Sequence, residues 1–344
     1  MGKRIAVIGA GAIGSSIAAD LTEATYDVTV IDQWPEHVEA IRRGVTIEMP
    51  ERTLRIPLKA FHIHQVQSIH VPFDIVFLAA KSNDTRWMTE LIAPRLAPDG
   101  FVVGLQNGMN NDAIASIVGR ERTIGSVVEL SAEVFVPGVV QRDTDRERTW
   151  FAIGELDGSV TPRLGELRTI MEHFARIDIS DNIEGSKWTK LIVNSMTMGP
   201  FGLFGIRNWE AMRLPGMAEI SVRIGREAMA VGAALGYPLN PVFGLTAEEF
   251  SGATDEVLVN AMQTLMAHIG KNSSTAPVHD HKKGRTSEMQ FLTGVIVARG
   301  KEVGVLTPYN EIVRQMDQEI NEGRLRMEVG NLDVLKQRIA ALPA

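Results

Sequence analysis

The hydrophobic pattern of this chain changes character near its middle. In the first half, short apolar runs alternate with mixed polar and apolar stretches. Arg4 to Ile8 is a short apolar run with the character of a parallel strand buried on both faces, and Asp27 to Ile31 reads as a second strand. Phe73 to Ala80, FDIVFLAA, and Gly100 to Leu105 repeat it. Helices are expected at 13–24, at 82–92 and at 35–43, where Pro35 suits a first turn. Val45–Met49 and Leu54–Pro57 predict a short hairpin. Strands follow at 123–134, 138–143 and 149–154, then a helix at 161–175 and a closing strand at Arg176–Ile179. Such alternation predicts an open, mostly parallel sheet with helices on both faces, an α/β domain of Rossmann type.

Strand patterns vanish near residue 180. Helices are expected at 183–200, 208–212, 216–235, 246–269 with Gly252 as a candidate break, 284–300, 308–322 and 331–341. The polar, proline-containing segment 270–283, GKNSSTAPVHDHKK, reads as a loop. The boundary therefore separates a dinucleotide-binding domain, 1–180, from an all-α domain, 181–344, for substrate and dimerisation. Within the second half, GSKWTKLIVNSMTMGP (185–200) lacks a polar face, as a buried helix does. Lys190 and Asn194 lie one turn apart on it. A buried ammonium is costly unless something meets it.

Composition narrows the function. The net charge of −7 speaks against a general nucleic-acid binder. With no cysteine, disulfides, zinc–thiolate sites and cysteine nucleophiles are excluded. No apolar run reaches the ~18 residues of a membrane helix. A cytoplasmic enzyme is the expectation.

Gly9-Ala10-Gly11-Ala12-Ile13-Gly14 fits G-x-G-x-x-G, directly after a strand and opening a helix. Gly9 permits a tight turn, Gly11 lets backbone approach a pyrophosphate, and Gly14 permits close helix–sheet packing. Asp32 follows 18 residues beyond Gly14. A carboxylate there accepts hydrogen bonds from ribose hydroxyls and repels a 2′-phosphate, which favours NAD over NADP. Capping of the helix at Pro35 is the competing use of Asp32. Ala80-Lys81 and Gln106-Asn107-Gly108 each end a strand at the carboxyl edge, where ligands bind in open sheets. In GRTSEMQFLTG, Glu288 is expected in the first turns of a helix.

With GAGAIG, the lysine after FDIVFLAA, QNG, W-x-K-L-x-x-N, D-x-x-x-G-R-x-x-E, Gly294 and Pro308 with Asn310, the chain resembles the ketopantoate reductases (2-dehydropantoate 2-reductases) over essentially its whole length. The resemblance implies a Rossmann domain and an all-α domain, in an arrangement like that of 6-phosphogluconate dehydrogenase, with substrate held between them. It makes Lys190 the catalytic lysine, Asn107 and Asn194 active-site asparagines, and Glu288 the active-site glutamate. The chemistry is consistent with those roles. Ketone reduction needs a hydride on carbon, which a nicotinamide gives, and a proton on oxygen, which a lysine can deliver while polarising the carbonyl. Asn107 would bond substrate or the cofactor's carboxamide end, and Lys81 would touch the cofactor. Glu288 would balance Lys190's charge or grip a substrate hydroxyl. Their bland alternatives are a snorkelling lysine, an asparagine bonded to local backbone, and a solvated glutamate.

Three positions depart from the family pattern. Met198 stands where a second asparagine is frequent. The serine that helps bind the substrate carboxylate falls at Ala276, leaving Ser274 or Thr275 to replace it. Asp32 stands where NADP-using relatives tend to have arginine. The expected reaction is thus reduction of a small 2-oxo acid to the 2-hydroxy acid, as in the 2-dehydropantoate 2-reductases, with a different hydroxy acid or related carbonyl compound as the alternative substrate. A non-catalytic NAD sensor and an opine-type dehydrogenase are the competing classes. His279 with His281, and His62, His64 and His70, lack convincing metal-ligand spacing, so no metal is expected. The helices at 216–235 and 258–269 offer a homodimer contact, with core packing as the alternative.

Overall fold

The computed structural model describes residues 2–241, 245–269 and 273–343. They form two compact units, one ending at Glu184 and the other beginning at Gly185. Twelve strands occur among the described residues, all in the first unit. They are β1 (Arg4–Ile8), β2 (Asp27–Asp32), β3 (Val45–Glu48), β4 (Thr53–Ile56), β5 (Ala60–His62), β6 (Phe73–Leu78), β7 (Leu96–Gly104), β8 (Thr123–Glu129), β9 (Ala132–Val136), β10 (Val139–Arg142), β11 (Trp150–Glu155) and β12 (Arg176–Ile179).

Eight strands form the main sheet, ordered β12-β11-β8-β7-β6-β1-β2-β5. Neighbours are parallel except where β11 meets β8. Both faces are buried, so each central strand is apolar at consecutive positions. Ile5, Val7, Ile75, Phe77 and Val103 face one core. Ala6, Ile8, Val76, Leu78 and Val102 face the other. The first core is covered by the helices Ala12–Glu23 and Pro162–Met171, the second by Thr85–Ile92 and Asn111–Val118.

A second sheet, ordered β4-β3-β10-β9, packs against the helix Ala12–Glu23. The predicted hairpin is its β3–β4 pair. The expected single strand at 123–134 is two strands in different sheets, parted at Leu130 and Ser131. β8 is buried along nearly all its length, whereas β9 exposes its last two residues. The apolar run had bridged a real break. Between the helix Ala12–Glu23 and β10, Asp20 and Arg142 form a buried ion pair at 2.5 Å. Arg142 also donates to the carbonyls of Thr144 and Phe174, tying the loop after β10 to the approach to β12.

The described second unit is helical: Asn208–Ala211, Met217–Ala234, Ala247–Gly252, Asp255–Ile269, Ala276–Lys282, Thr293–Val303, Pro308–Asn321 and Asn331–Ala340 follow the long helix Ile183–Phe201. The expected 246–269 helix is interrupted just beyond Gly252. The segment expected to be a loop contains the helix Ala276–Lys282, because Pro277 sits in its first turn, where a missing amide hydrogen costs nothing. Residues 270–272 of that segment, and the side chains of 264–269 in the suggested dimer helix, lie outside the described set. Trp188, Leu191, Ile192 and Met196 are fully buried. A Cβ at Gly225 would lie 2.6 Å from the Met196 sulfur, and one at Gly232 would lie 2.4 Å from Trp188 Nε1. These glycines, two turns apart, let Met217–Ala234 press directly on the long helix. Trp188 Nε1 donates to the Ala228 carbonyl at 2.9 Å. The missing polar face of 185–200 is the mark of this packing.

Candidate active site

β7, β6, β1 and β2 are parallel neighbours, so their carboxyl ends line one edge. The chain order reverses around β1, which puts the glycine turn at the sheet's switch point. Gly9 leaves β1 at φ +91° and donates to the Ile31 carbonyl at 2.9 Å. A Cβ on Gly9 would lie 2.7 Å from the Ala80 nitrogen, and one on Gly14 only 1.9 Å from the Gly9 oxygen. Gly11 is different: nothing lies within 4 Å of where its Cβ would stand. Two glycines are thus needed for packing, and the third leaves open space beside the N-terminus of the helix Ala12–Glu23. The first amides of a helix have no partner within it and favour an anion. The residues present fit a dinucleotide pyrophosphate.

Asp32, buried at the end of β2, accepts from the Ala10 amide at 2.5 Å through Oδ2 and from the Trp34 amide at 2.7 Å through Oδ1. The capping alternative is thereby modified. Asp32 braces the glycine turn and the approach to the helix Pro35–Gly44, whose N-cap is Trp34 and lacks a side-chain cap.

Lys81 follows β6 and starts a 3₁₀ turn, Ser82–Asp84, that leads into Thr85–Ile92. Asn107 follows β7. Its carbonyl accepts from Asn110 Nδ2 at 2.7 Å and Ser82 Oγ at 3.3 Å. Asn110 Nδ2 also reaches Ser82 Oγ at 3.1 Å, and Gln106 Nε2 donates to Thr85 Oγ1 at 3.1 Å. The loops bearing Lys81 and Asn107 are therefore laced together beside Gly9. Sequence reasoning missed Ser82, Thr85 and Asn110, which lie in the polar stretches KSNDTR and QNGMNND, where no single polar residue stands out.

In the second unit Lys190 is half-buried and Asn194 buried on the helix Ile183–Phe201. Glu288 is buried too, but not within a helix. It is the N-cap of the 3₁₀ turn Met289–Phe291, ahead of Thr293–Val303. Pro277 and Met289 pack beside Gly202, at the end of the long helix, so the segments flanking Ala276–Lys282 and Glu288 converge there. Ser274 is half-buried. Thr275 is the N-cap of Ala276–Lys282, yet its Oγ1 makes no capping bond and is buried without a hydrogen-bond partner among the described residues. Ala276, at the family's serine position, begins that helix.

Glu227, on Met217–Ala234, was not anticipated. It accepts from the amides of Tyr309 and Asn310 at 2.9 and 3.0 Å and from Asn310 Nδ2 at 2.8 Å. It thereby fixes the start of Pro308–Asn321, the part of the chain that carries the resemblance at Pro308 and Asn310. Burial pushes its carboxyl above the usual glutamate value, and the Asn310 and Tyr309 donors pull it back in part. His281 Nε2 meets Asp317 at 2.8 Å, while His62 contacts Glu39 at 2.8 Å and stacks with His64. Among the described residues no group of three or more His, Asp or Glu could hold a metal. No described helix is long and apolar enough to cross a membrane.

Two family models match the chain: "Ketopantoate reductase PanE/ApbA" over residues 5–157 and "Ketopantoate reductase PanE/ApbA C terminal" over residues 182–321. A 2-dehydropantoate 2-reductase of Archaeoglobus fulgidus is 26% identical over 327 residues, covering 93% of this chain and 99% of that one. Among solved structures, a PanE/ApbA family ketopantoate reductase from Ralstonia eutropha JMP134 is 25% identical with a TM-score of 0.74, covering 93% and 99% of the two chains. A D-mandelate dehydrogenase solved with NADH and anilino(oxo)acetate has the same fold, at 21% identity and a TM-score of 0.81, with the same coverage.

Proposed function

The chain belongs to the ketopantoate reductase family of NAD(P)-dependent oxidoreductases acting on CH–OH groups, and from that premise we propose that it reduces a small 2-oxo acid to the 2-hydroxy acid, with the proton coming from Lys190. The dinucleotide, when bound, supplies a hydride to the carbonyl carbon. The amides of Gly11, Ala12 and Ile13 hold its pyrophosphate, in a turn shaped by Gly9, Ala10 and Gly14. Asp32 accepts from its ribose, and Lys81 and Asn107 bind toward its nicotinamide end. The Lys190 ammonium polarises the ketone oxygen and then protonates it. Asn194 orients that oxygen, and Glu288 offsets the lysine's charge or takes a substrate hydroxyl. Thr275, with its unspent hydroxyl, and Ser274 bind the carboxylate in place of a serine at 276. The observation that carries this reading is the Lys190–Asn194 pair on one side of a helix otherwise packed into the core.

The finer reading concerns specificity. Met198 replaces polar recognition with apolar contact, which favours an oxo acid with an apolar substituent. Mandelate is such a hydroxy acid with an aromatic group, and its dehydrogenase shares this fold, as ketopantoate reductases do. The carboxylate of Asp32 favours NADH over NADPH. Steady-state kinetics with NADH and NADPH against a panel of 2-oxo acids, ketopantoate included, tests both points. We expect NADH to be preferred and an apolar 2-oxo acid to exceed ketopantoate in kcat/KM. High efficiency with ketopantoate and NADPH overturns the specificity reading, and inactivity toward every 2-oxo acid overturns the reaction class.

A further inference from the structure

Ala10 lies at the centre of the glycine turn, and both of its backbone polar groups are engaged from within. Its amide donates to Asp32, and its carbonyl accepts from Ser15 Oγ at 2.8 Å. Ser15 Oγ also meets His37 Nε2 at 3.1 Å, and His37 Nδ1 accepts from the Gly138 amide at 3.0 Å. Ser15 and His37 are both fully buried. Trp34 stacks on the His37 ring at 5.2 Å and 15°.

The direction of each bond follows from chemistry. A backbone N–H only donates, so His37 Nδ1 is bare and a neutral ring carries its proton on Nε2. A carbonyl only accepts, so the Ser15 hydroxyl hydrogen points to Ala10. Ser15 then receives the His37 Nε2 hydrogen. The chain runs one way: Gly138 amide, His37, Ser15, Ala10 carbonyl. It starts at the β9–β10 turn, where Gly138 adopts φ +80° and approaches Ala40 of the helix Pro35–Gly44 so closely that a Cβ there would lie 2.7 Å away. The Gly138 carbonyl in turn accepts from the Thr46 amide of β3 at 2.8 Å. The second sheet is thereby bonded through a histidine to the back of the nucleotide turn.

The Ala10 carbonyl and the Gly11 amide belong to one planar trans peptide and point to opposite sides. Holding the carbonyl on Ser15 therefore aims the Gly11 amide away from the buried side, where space is open. We propose that His37, as the neutral Nε2–H tautomer, and Ser15 are positioning residues that set the Gly11 peptide for a dinucleotide pyrophosphate. The inference rests on the cofactor part of the function proposed above, not on its substrate.

The test uses the full chain and its Ser15→Ala and His37→Leu variants. NADH affinity is read by fluorescence titration, turnover by steady-state kinetics, and the ring by ¹⁵N NMR. In the unaltered protein His37 shows a ring protonated at Nε2 and bare at Nδ1. Ser15→Ala weakens NADH binding and raises the KM for NADH about tenfold, the scale of one lost hydrogen bond and a freed peptide. Its kcat at saturating NADH and its KM for the oxo acid stay within about twofold of the parent, by the same reasoning that only cofactor binding is touched. His37→Leu behaves alike where it folds; where it does not, Ser15→Ala decides. A folded Ser15→Ala protein with unchanged NADH affinity overturns the proposal, as does a cationic or Nδ1-protonated His37 at neutral pH. A parent protein that binds neither dinucleotide overturns it together with the cofactor reading. One that binds NADH yet reduces no oxo acid refutes only the substrate reading.

Discussion

In the first unit the proposed contacts of Gly9, Ala10 and Gly11 are made by backbone atoms, each fixed by strand ends and by neighbours such as Ile31, Asp32 and Ser15. In the second, Lys190, Asn194 and Glu288 are side chains, two carried on a packed helix and one at a turn between helices. A backbone site demands particular backbone shapes, and only glycine provides some of them. It therefore marks the sequence with a local motif. A side-chain site demands only that a helix be held firmly, and many sequences can do that. The two differ in how they should fail when altered.

The largest effect is expected at the side-chain site. Lys190→Ala should lower kcat by about 10³-fold, within the range for loss of a general acid, and leave NADH affinity unchanged. Kinetics with a parallel binding titration checks it; a variant retaining a tenth of parental turnover would remove Lys190 from the chemistry. Next come the glycines, where the backbone site should separate into two kinds of position. Gly14→Ala forces a methyl against the Gly9 oxygen and should cost about 1–3 kcal/mol of stability, as overpacking does. Gly11→Ala meets only open space, so its melting temperature should stay near the parent's while NADH affinity falls. Equal melting temperatures for the two variants would break the distinction.

How much of this was legible follows from the same contrast. β1, β2, β6 and β7 announced themselves because burial on both faces makes their inner stretches largely apolar at consecutive positions. β5 did not, being three residues long and paired only with β2 on the sheet edge. The helix Asn111–Val118 has only Ile114 and Val118 as buried apolar residues, a single turn's worth of periodicity. Ala276–Lys282 was hidden by its proline and its histidines, and Glu288 was assigned to a helix that begins five residues later, at Thr293. At the candidate nucleotide site the glycines and Asp32 were proposed from spacing, and the structure places Asp32 against the glycine turn. The Ser15–His37 chain could not, since its meaning depends on Gly138, which is 101 residues from His37. In the second unit the apolar helix revealed its burial, but the roles proposed for Lys190, Asn194 and Glu288 came from resemblance.

The smallest expected effect concerns Glu227, which ties Met217–Ala234 to the start of Pro308–Asn321. Its folded carboxyl titrates above the ordinary glutamate value of 4.5 because burial disfavours the charge. The folded state therefore holds this proton more tightly than the unfolded chain does. The group's contribution to stability is full below pH 4.5 and declines as pH rises to the elevated folded value. Glu227→Gln removes that decline. Melting curves recorded from pH 4 upward should show the difference between variant and parent growing in the variant's favour over that window. A difference that stays constant with pH would mean that the buried carboxyl carries no such penalty.

Asp32 has a bearing on any attempt to alter which dinucleotide the proposed site prefers. The customary exchange of this acid for a cation would strip acceptors from two amides at once, those of Ala10 and Trp34. The cation would arrive at a loop that had lost its keystone. Positive charge introduced instead at the exposed neighbour Gln33 would leave both of those acceptors in place.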